Sequence, residues 1–182
     1  MRSQGVTRPP FGEFVGNVDT RWITVDRDML LLADFSYIDP SEIQWTAKKD
    51  SRIDGASIPR ALWTVVGSPF TGAYRSASVV HDVACVLKDR PWEAVHRMFY
   101  NAMRCGGVGE KRALFMYAAV YRFGPRWKRV PNCAGVGFGG GTTIESVSVP
   151  VPSVDGLQAL QASIEQESQP MTLEDVERLV RR

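Results

Sequence analysis

The sequence of 182 residues lacks several features that would assign it to a class of protein. No run of apolar residues approaches the roughly 20 needed to span a bilayer. The N-terminal stretch MRSQGVTRPPFGEF has no apolar core of a secretory signal peptide. The three cysteines include no Cys-x-x-Cys pair, so we expect reduced thiols rather than a disulfide framework. These absences predict a protein made in the cytoplasm.

Common catalytic motifs are also missing. The two histidines, His81 and His96, form no His-Glu-x-x-His or His-x-His pair. Ser57 does not lie in a Gly-x-Ser-x-Gly turn, which argues against a serine nucleophile. The glycine-rich run at 135–141 is not followed by Lys-Ser or Lys-Thr, so it is not a phosphate-binding loop. Any active site must therefore be found from residue combinations rather than from a motif.

The composition is that of a globular protein, with 44% hydrophobic and 23% charged residues. The net charge of +2 hides an asymmetry. Residues 1–131 carry 19 basic and 13 acidic side chains, which gives +6, whereas residues 132–182 carry 3 and 7, which gives −4. Neither value favours a nucleic acid as the partner.

The hydrophobic pattern predicts an α+β fold. Alternating apolar and polar residues in 11–52 indicate strands of a small antiparallel β meander. From Tyr74 to Phe123 the apolar spacing changes to that of helices and predicts a three-helix packet. Pro91 suits a helix start and Gly106 a helix end. An extended C-terminal tail completes the predicted architecture.

The composition divides the chain into four parts. They are an N-terminal arm at 1–19, a compact domain at 20–130, an extended tail at 131–171 and a short helix at 172–182. The tail is rich in Gly, Ser, Val and Pro, so we expect 132–171 to make little contact with its own domain. Alternating Val and Ser at 144–152 suits a strand added to a partner's sheet, so neighbouring subunits would order residues 132–182.

Several motifs resemble a known family. The runs FSYIDP, DGASIPRALW and GSPFTGAYRSASVVHD, with WEAVHRMFYNAM and MYAAVYRFG, are similar to the family called domain of unknown function 1353. The resemblance covers about residues 20–127 and implies a link to phage and prophage genomes. His96 stands where relatives usually carry Asp.

The His81-Asp82 pair on a predicted helix is also similar to the phospholipase A2 helix. That resemblance implies a catalytic base at His81 and calcium held at Asp82, with carbonyl groups of 67–72 as further ligands. A hydrolase would use His81 as the catalytic residue together with Asp82 and Asp54, either of which could hold the metal. An alternative is a zinc site of His81, His96 and a carboxylate from Asp54 or Asp82. A third, purely structural reading pairs buried His81 with Asp54 to lock the DGASIP loop to the helix.

A basic aromatic cluster follows the third predicted helix. It comprises Arg126, Trp127, Lys128 and Arg129. Such a cluster can bind phosphates or an anionic membrane surface, or it can bind the acidic tail of its own chain. It can also be a solvent-exposed end of the helix without a binding role.

Two functions remain open from the sequence. The first is a phage-type structural protein, a head or tail component of the virion, made in the bacterial host cytoplasm and assembled into a particle. The second is a small metal-dependent hydrolase, using calcium or zinc, that acts on a lipid or on peptidoglycan of the cell envelope.

Overall fold

The computed structural model describes residues 9–23, 28–55, 57–58, 60–66, 72–131 and 142–181. Short antiparallel strands in the N-terminal half precede a set of helices, which confirms the α+β class. The strands are β1 (Glu13–Val15), β2 (Thr20–Trp22), β3 (Met29–Leu31), β4 (Phe35–Ile38), β5 (Gln44–Ala47), β6 (Arg52–Ile53), β7 (Arg126–Pro131) and β8 (Thr142–Val147). The helices are α1 (Arg60–Val66), α2 (Arg75–Leu87), α3 (Trp92–Cys105), α4 (Glu110–Phe123), α5 (Val154–Gln166) and α6 (Leu173–Arg181).

The N-terminal strands form two small sheets rather than one continuous meander. Their strand orders are β1-β4-β5 and β2-β3-β6, and every pair is antiparallel. Strands β3 and β4 follow each other in the chain but belong to different sheets. The prediction of a single meander is therefore wrong. An alternating pattern identifies strands and their buried faces, but it does not determine which strands pair with each other.

Strand β1 brings part of the predicted N-terminal arm into the folded body. Phe14 lies opposite Tyr37 of β4 and stacks on Phe35 with 5.5 Å between ring centroids. The Tyr37 hydroxyl donates a hydrogen bond of 2.6 Å to the carbonyl of Phe11. The prediction of an arm over 1–19 is therefore wrong for residues 11–15.

Helices α2, α3 and α4 form the predicted three-helix packet, in which α3 contacts both of the others. Helix α3 begins directly after Pro91 and is followed by Gly106, as the sequence predicted. Large side chains fill the space between the helices and the sheets. Fully buried examples are Phe99, Phe115, Tyr117 and Tyr121.

The described part of the predicted tail packs against its own chain, so the prediction of an extended tail with little self-contact is wrong. Strand β8 pairs with β7 over six residues, and α5 contacts α1 and α4. Leu157 and Ile164, two turns apart on α5, are both buried. Burying such a stripe offsets the entropy of ordering the chain. The predicted glycine-rich run at 135–141 lies outside the described residues.

The predicted C-terminal helix is present as α6. Its start has the expected capping arrangement, since the Thr172 hydroxyl accepts from the Asp175 N–H and the Asp175 carboxylate accepts from the Thr172 N–H. Val176 and Val180 are buried against the body. Glu177 beside them is buried too and receives hydrogen bonds from Arg97 of α3 and Tyr117 of α4.

Candidate functional site

The carboxylate of Asp82 fixes the loop that follows β6. One oxygen accepts hydrogen bonds from the N–H groups of Asp54, at 3.1 Å, and Gly55, at 2.8 Å. The other accepts from the Ser57 N–H at 3.2 Å and from the Ser57 hydroxyl. Gly55 has a φ of +69°, which favours glycine at this bend. One side chain of α2 thus holds three N–H donors of the loop.

Ser57 connects Asp82 to His81. Its Oγ atom lies 3.1 Å from Nδ1 of His81. Because an ionised carboxylate only accepts hydrogen bonds, the Ser57 hydroxyl donates to Asp82 and its oxygen accepts from the Nδ1–H of His81. This relay assigns the proton to Nδ1 and leaves a lone pair on Nε2 of His81. Burial raises the pKa of Asp82, and hydrogen bonds from Ser57 and Gly55 oppose that effect.

The two histidines meet across the interface of α2 and α3. Nε2 of His81 lies 2.9 Å from Nδ1 of His96, and both side chains are completely buried. The imidazole of His81 also stacks on Phe99. Burial and the neighbouring His96 lower the pKa of His81 well below its usual value. Burial lowers the pKa of His96 to about 3. Both rings are neutral near pH 7.

Cys85 completes the cluster. It lies one turn after His81 on α2, and its Sγ atom is 3.7 Å from Nε2 of His81. The sulfur and the facing nitrogens of His81 and His96 all lie within 4.8 Å of one another. Burial raises the pKa of the Cys85 thiol. The sequence did not indicate that Cys85 joins the two histidines, although the i, i+4 spacing of His81 and Cys85 was a signal for it.

The structure distributes the predicted site residues differently from the sequence prediction. His81 and His96 come together as predicted, but the third group at their shared edge is Cys85 instead of a carboxylate. Asp82 directs both oxygens to the loop and Ser57, and the Asp54 side chain is exposed. The loop is joined to α2 by Ser57 and Asp82 instead of the predicted pairing of the Asp54 side chain with His81. Of the loop predicted to help bind calcium, 67–71 lies outside the described residues.

The basic aromatic cluster is largely engaged within the chain. Trp127 is buried and donates from Nε1 to the carbonyl of Arg90 at 2.9 Å. Arg126 donates to the Tyr121 carbonyl, and Arg129 donates to the Asp89 carbonyl. Lys128 pairs with Glu145 of β8 at 3.1 Å. Of the alternatives left open by the sequence, this contact matches binding to the chain's own acidic segment.

The matches to known proteins agree with the resemblance in the sequence. The family described as "Protein of unknown function (DUF1353)" matches residues 29–120, a range that contains every residue of the cluster. The chain belongs to this family. No solved structure matches it. Among the described residues, none of the helices is long and apolar enough to cross a membrane.

Two relatives come from Sinorhizobium fredii (strain NBRC 101917 / NGR234). "Uncharacterized protein y4jT" is 41% identical over 140 residues, which cover 72% of this chain and 42% of the relative. "Uncharacterized protein y4iH" is 44% identical over 98 residues, which cover 54% of this chain and 41% of the relative. The chain therefore spans less than half the length of either relative.

Proposed function

We propose that this protein is a small hydrolase whose reactive centre is the buried cluster around Nε2 of His81. The observation that carries the proposal is the relay from Asp82 through Ser57 to His81, which leaves one imidazole nitrogen unprotonated beside His96 and Cys85. Burying this many polar side chains costs free energy, and such clusters concentrate at functional sites. In the hydrolase, Ser57 and Asp82 are positioning residues, and the centre activates water.

As the substrate we propose an ester or amide bond of a cell-envelope lipid or of peptidoglycan. The β2-β3-β6 sheet leads directly into the loop held by Asp82. Beside this sheet Trp22, Ile23 and Leu32 are about half exposed. Exposed apolar side chains on the sheet that precedes the loop suit an amphiphilic substrate. Because His81 is fully covered, the segments over it must move before the substrate can reach the centre.

The test is hydrolysis of phospholipid vesicles and of purified peptidoglycan by the full chain. The substitution His81→Asn removes the imidazole while keeping much of its volume, so turnover should fall by roughly 100-fold or more. Ser57→Ala should lower turnover and shift the pH profile, because it breaks the relay. Ser36→Ala is the matched control, since Ser36 is a buried serine whose hydroxyl bonds to Thr46 and Gln44, away from the cluster. Absence of turnover by the native protein, or equal turnover by His81→Asn, would contradict the proposal.

A phage structural protein is the second candidate. Its main support was an extended tail ordered by neighbouring subunits, and β8, α5 and α6 instead pack on their own chain. The exposed strand β8 still offers an edge for such a partner, because among the described strands it pairs with β7 alone. Assembly into particles without any hydrolysis would favour this candidate.

A further inference from the structure

The buried cluster also has the composition of a metal site. We propose that Nε2 of His81, Nδ1 of His96 and Sγ of Cys85 bind one transition-metal ion, with zinc as the best match. Two imidazoles and a thiolate are ligands that zinc prefers, and they do not suit calcium or magnesium. Asp82 and Asp54 are not in this ligand set. The inference goes beyond the proposed hydrolysis, because the three atoms would bind metal whether or not the chain turns over a substrate.

The distances between the atoms are close to those of a tetrahedral site, with all three atoms within 4.8 Å of one another. With zinc–nitrogen bonds of about 2.0–2.1 Å, two nitrogen ligands lie ~3.3 Å apart, and with a zinc–sulfur bond of about 2.3 Å a nitrogen and a sulfur lie ~3.6 Å apart. The two nitrogens here are 2.9 Å apart, and the sulfur is 3.7 Å from His81. Small shifts of side chains already on facing helical turns would create the site.

The protons of the two imidazoles supply an independent argument. A proton on Nδ1 of His96 would be donated to His81, and Nε2 of His96 would then be a buried acceptor with no hydrogen-bond partner among the described residues. A proton on Nε2 of His96 would instead leave Nδ1 unprotonated, and the backbone of Pro125 lies close to this imidazole. Two lone pairs would then face each other at 2.9 Å. A bound metal ion stabilises the second arrangement, because each lone pair becomes a ligand.

The surroundings provide the outer contacts that metal-binding histidines usually have. His81 would bind the metal through Nε2 while its Nδ1–H donates to Ser57, which donates to Asp82. His96 would bind through Nδ1 and carry its proton on Nε2. Three protein ligands leave one coordination position open, as in catalytic zinc sites. At that open position the metal would hold and activate a water molecule.

The test uses the full chain stripped with a chelator and titrated with cobalt(II), with zinc measured by competition. We expect one cobalt per chain, visible bands of a tetrahedral ion and a thiolate-to-cobalt charge-transfer band. Cys85→Ser should remove the charge-transfer band and weaken binding by about 100-fold, and His96→Asn should weaken it to a similar degree. Ser57→Ala should weaken binding by about 10-fold, because it removes an outer contact. The matched control is Cys105→Ser, since the Cys105 thiol donates a hydrogen bond to the Gly12 carbonyl, away from the cluster.

The native protein alone can overturn the inference. Less than one bound cobalt per chain, or binding without the charge-transfer band, would show that the imidazoles are simply hydrogen-bonded to each other. Retention of the band in Cys85→Ser, or its loss in Cys105→Ser, would place the metal elsewhere. Circular dichroism separates lost ligation from lost folding. Metal binding without turnover of lipid or peptidoglycan would leave this site standing and reject the proposed hydrolase.

Discussion

Asp82 and Gly55 lie 27 residues apart in the sequence, and a hydrogen bond of 2.8 Å from the Gly55 N–H to the Asp82 carboxylate joins them. The same carboxylate also accepts from Asp54 and Ser57. This relationship makes Asp82 the residue that couples the loop after β6 to α2.

Replacing Asp82 by Asn should therefore destabilise the protein strongly. The amide group of Asn places N–H donors against the N–H donors of the loop, which leaves buried groups unpaired. We expect the free energy of unfolding in urea to fall by about 2–4 kcal/mol. Asp89→Asn, at an exposed position after α2, should change it by less than about 0.5 kcal/mol. Similar values for the two variants would mean that the loop does not depend on Asp82.

Gly55→Ala tests the bend of the loop. At a φ of +69° a side chain strains the backbone, so we expect a loss of about 1–2 kcal/mol in the free energy of unfolding. Gly109→Ala is the control, because Gly109 has a φ of −58° and no atom lies within 4 Å of an added Cβ. Unfolding in urea measures both variants. Equal stability of the two would show that the loop accommodates a side chain.

Glu177 should make stability depend on pH. Burial raises the pKa of Glu177, but hydrogen bonds from Tyr117 and Arg97 outweigh burial, so its pKa is below its usual value. A carboxyl group whose pKa is lowered by folding stabilises the protein at neutral pH, and that stabilisation is lost as the pH falls through the folded pKa. Glu177→Gln should lower the free energy of unfolding at pH 7 by about 1–3 kcal/mol. It should also flatten the decline of stability below pH 5.

Glu174→Gln is the matched control for this prediction. Glu174 binds the same Arg97 at 2.9 Å, but its side chain is largely exposed. Exposed ion pairs contribute little, so we expect a change below about 1 kcal/mol. A larger loss of stability in Glu174→Gln than in Glu177→Gln would contradict the prediction that Glu177 stabilises the contact of α6 with α3 and α4 more than Glu174 does.

His96→Asp replaces the imidazole by the carboxylate that the resemblance to the family implies at this position. We expect a loss of stability with part of the activity retained. A buried carboxylate should lower the free energy of unfolding by about 2–4 kcal/mol, but turnover per folded molecule should exceed that of His96→Asn, because a carboxylate can replace an imidazole as a metal ligand. His96→Asn is the uncharged control and should lower both quantities. Turnover by His96→Asp below that of His96→Asn would contradict the prediction.

The sequence predicted the helices and the meeting of His81 with His96 because apolar stripes fix which helix faces pack together. It did not place Cys85 beside the two histidines, because that contact depends on how closely α2 packs against α3. The contacts of Asp82 depend on the path of a loop backbone, which side-chain patterns do not encode. Helix α5 was missed because the composition of 131–171 predicts an extended tail, although Leu157, Leu160 and Ile164 have the spacing of a helical stripe. The surface that buries them belongs to α1 and α4.

The ion pair between Arg97 and Glu177 joins residues 80 positions apart. On a ribosome that adds about 5–20 residues per second, Glu177 is made roughly 4–16 s after Arg97. Helix α3, which carries His96, is therefore synthesised well before α6 can bind it. During that interval Arg97 and Tyr117 lack this carboxylate, and the nascent helices are open to chaperones or to premature association with other chains. Slower translation of the last 80 residues would lengthen this vulnerable period without altering a single contact of the finished protein.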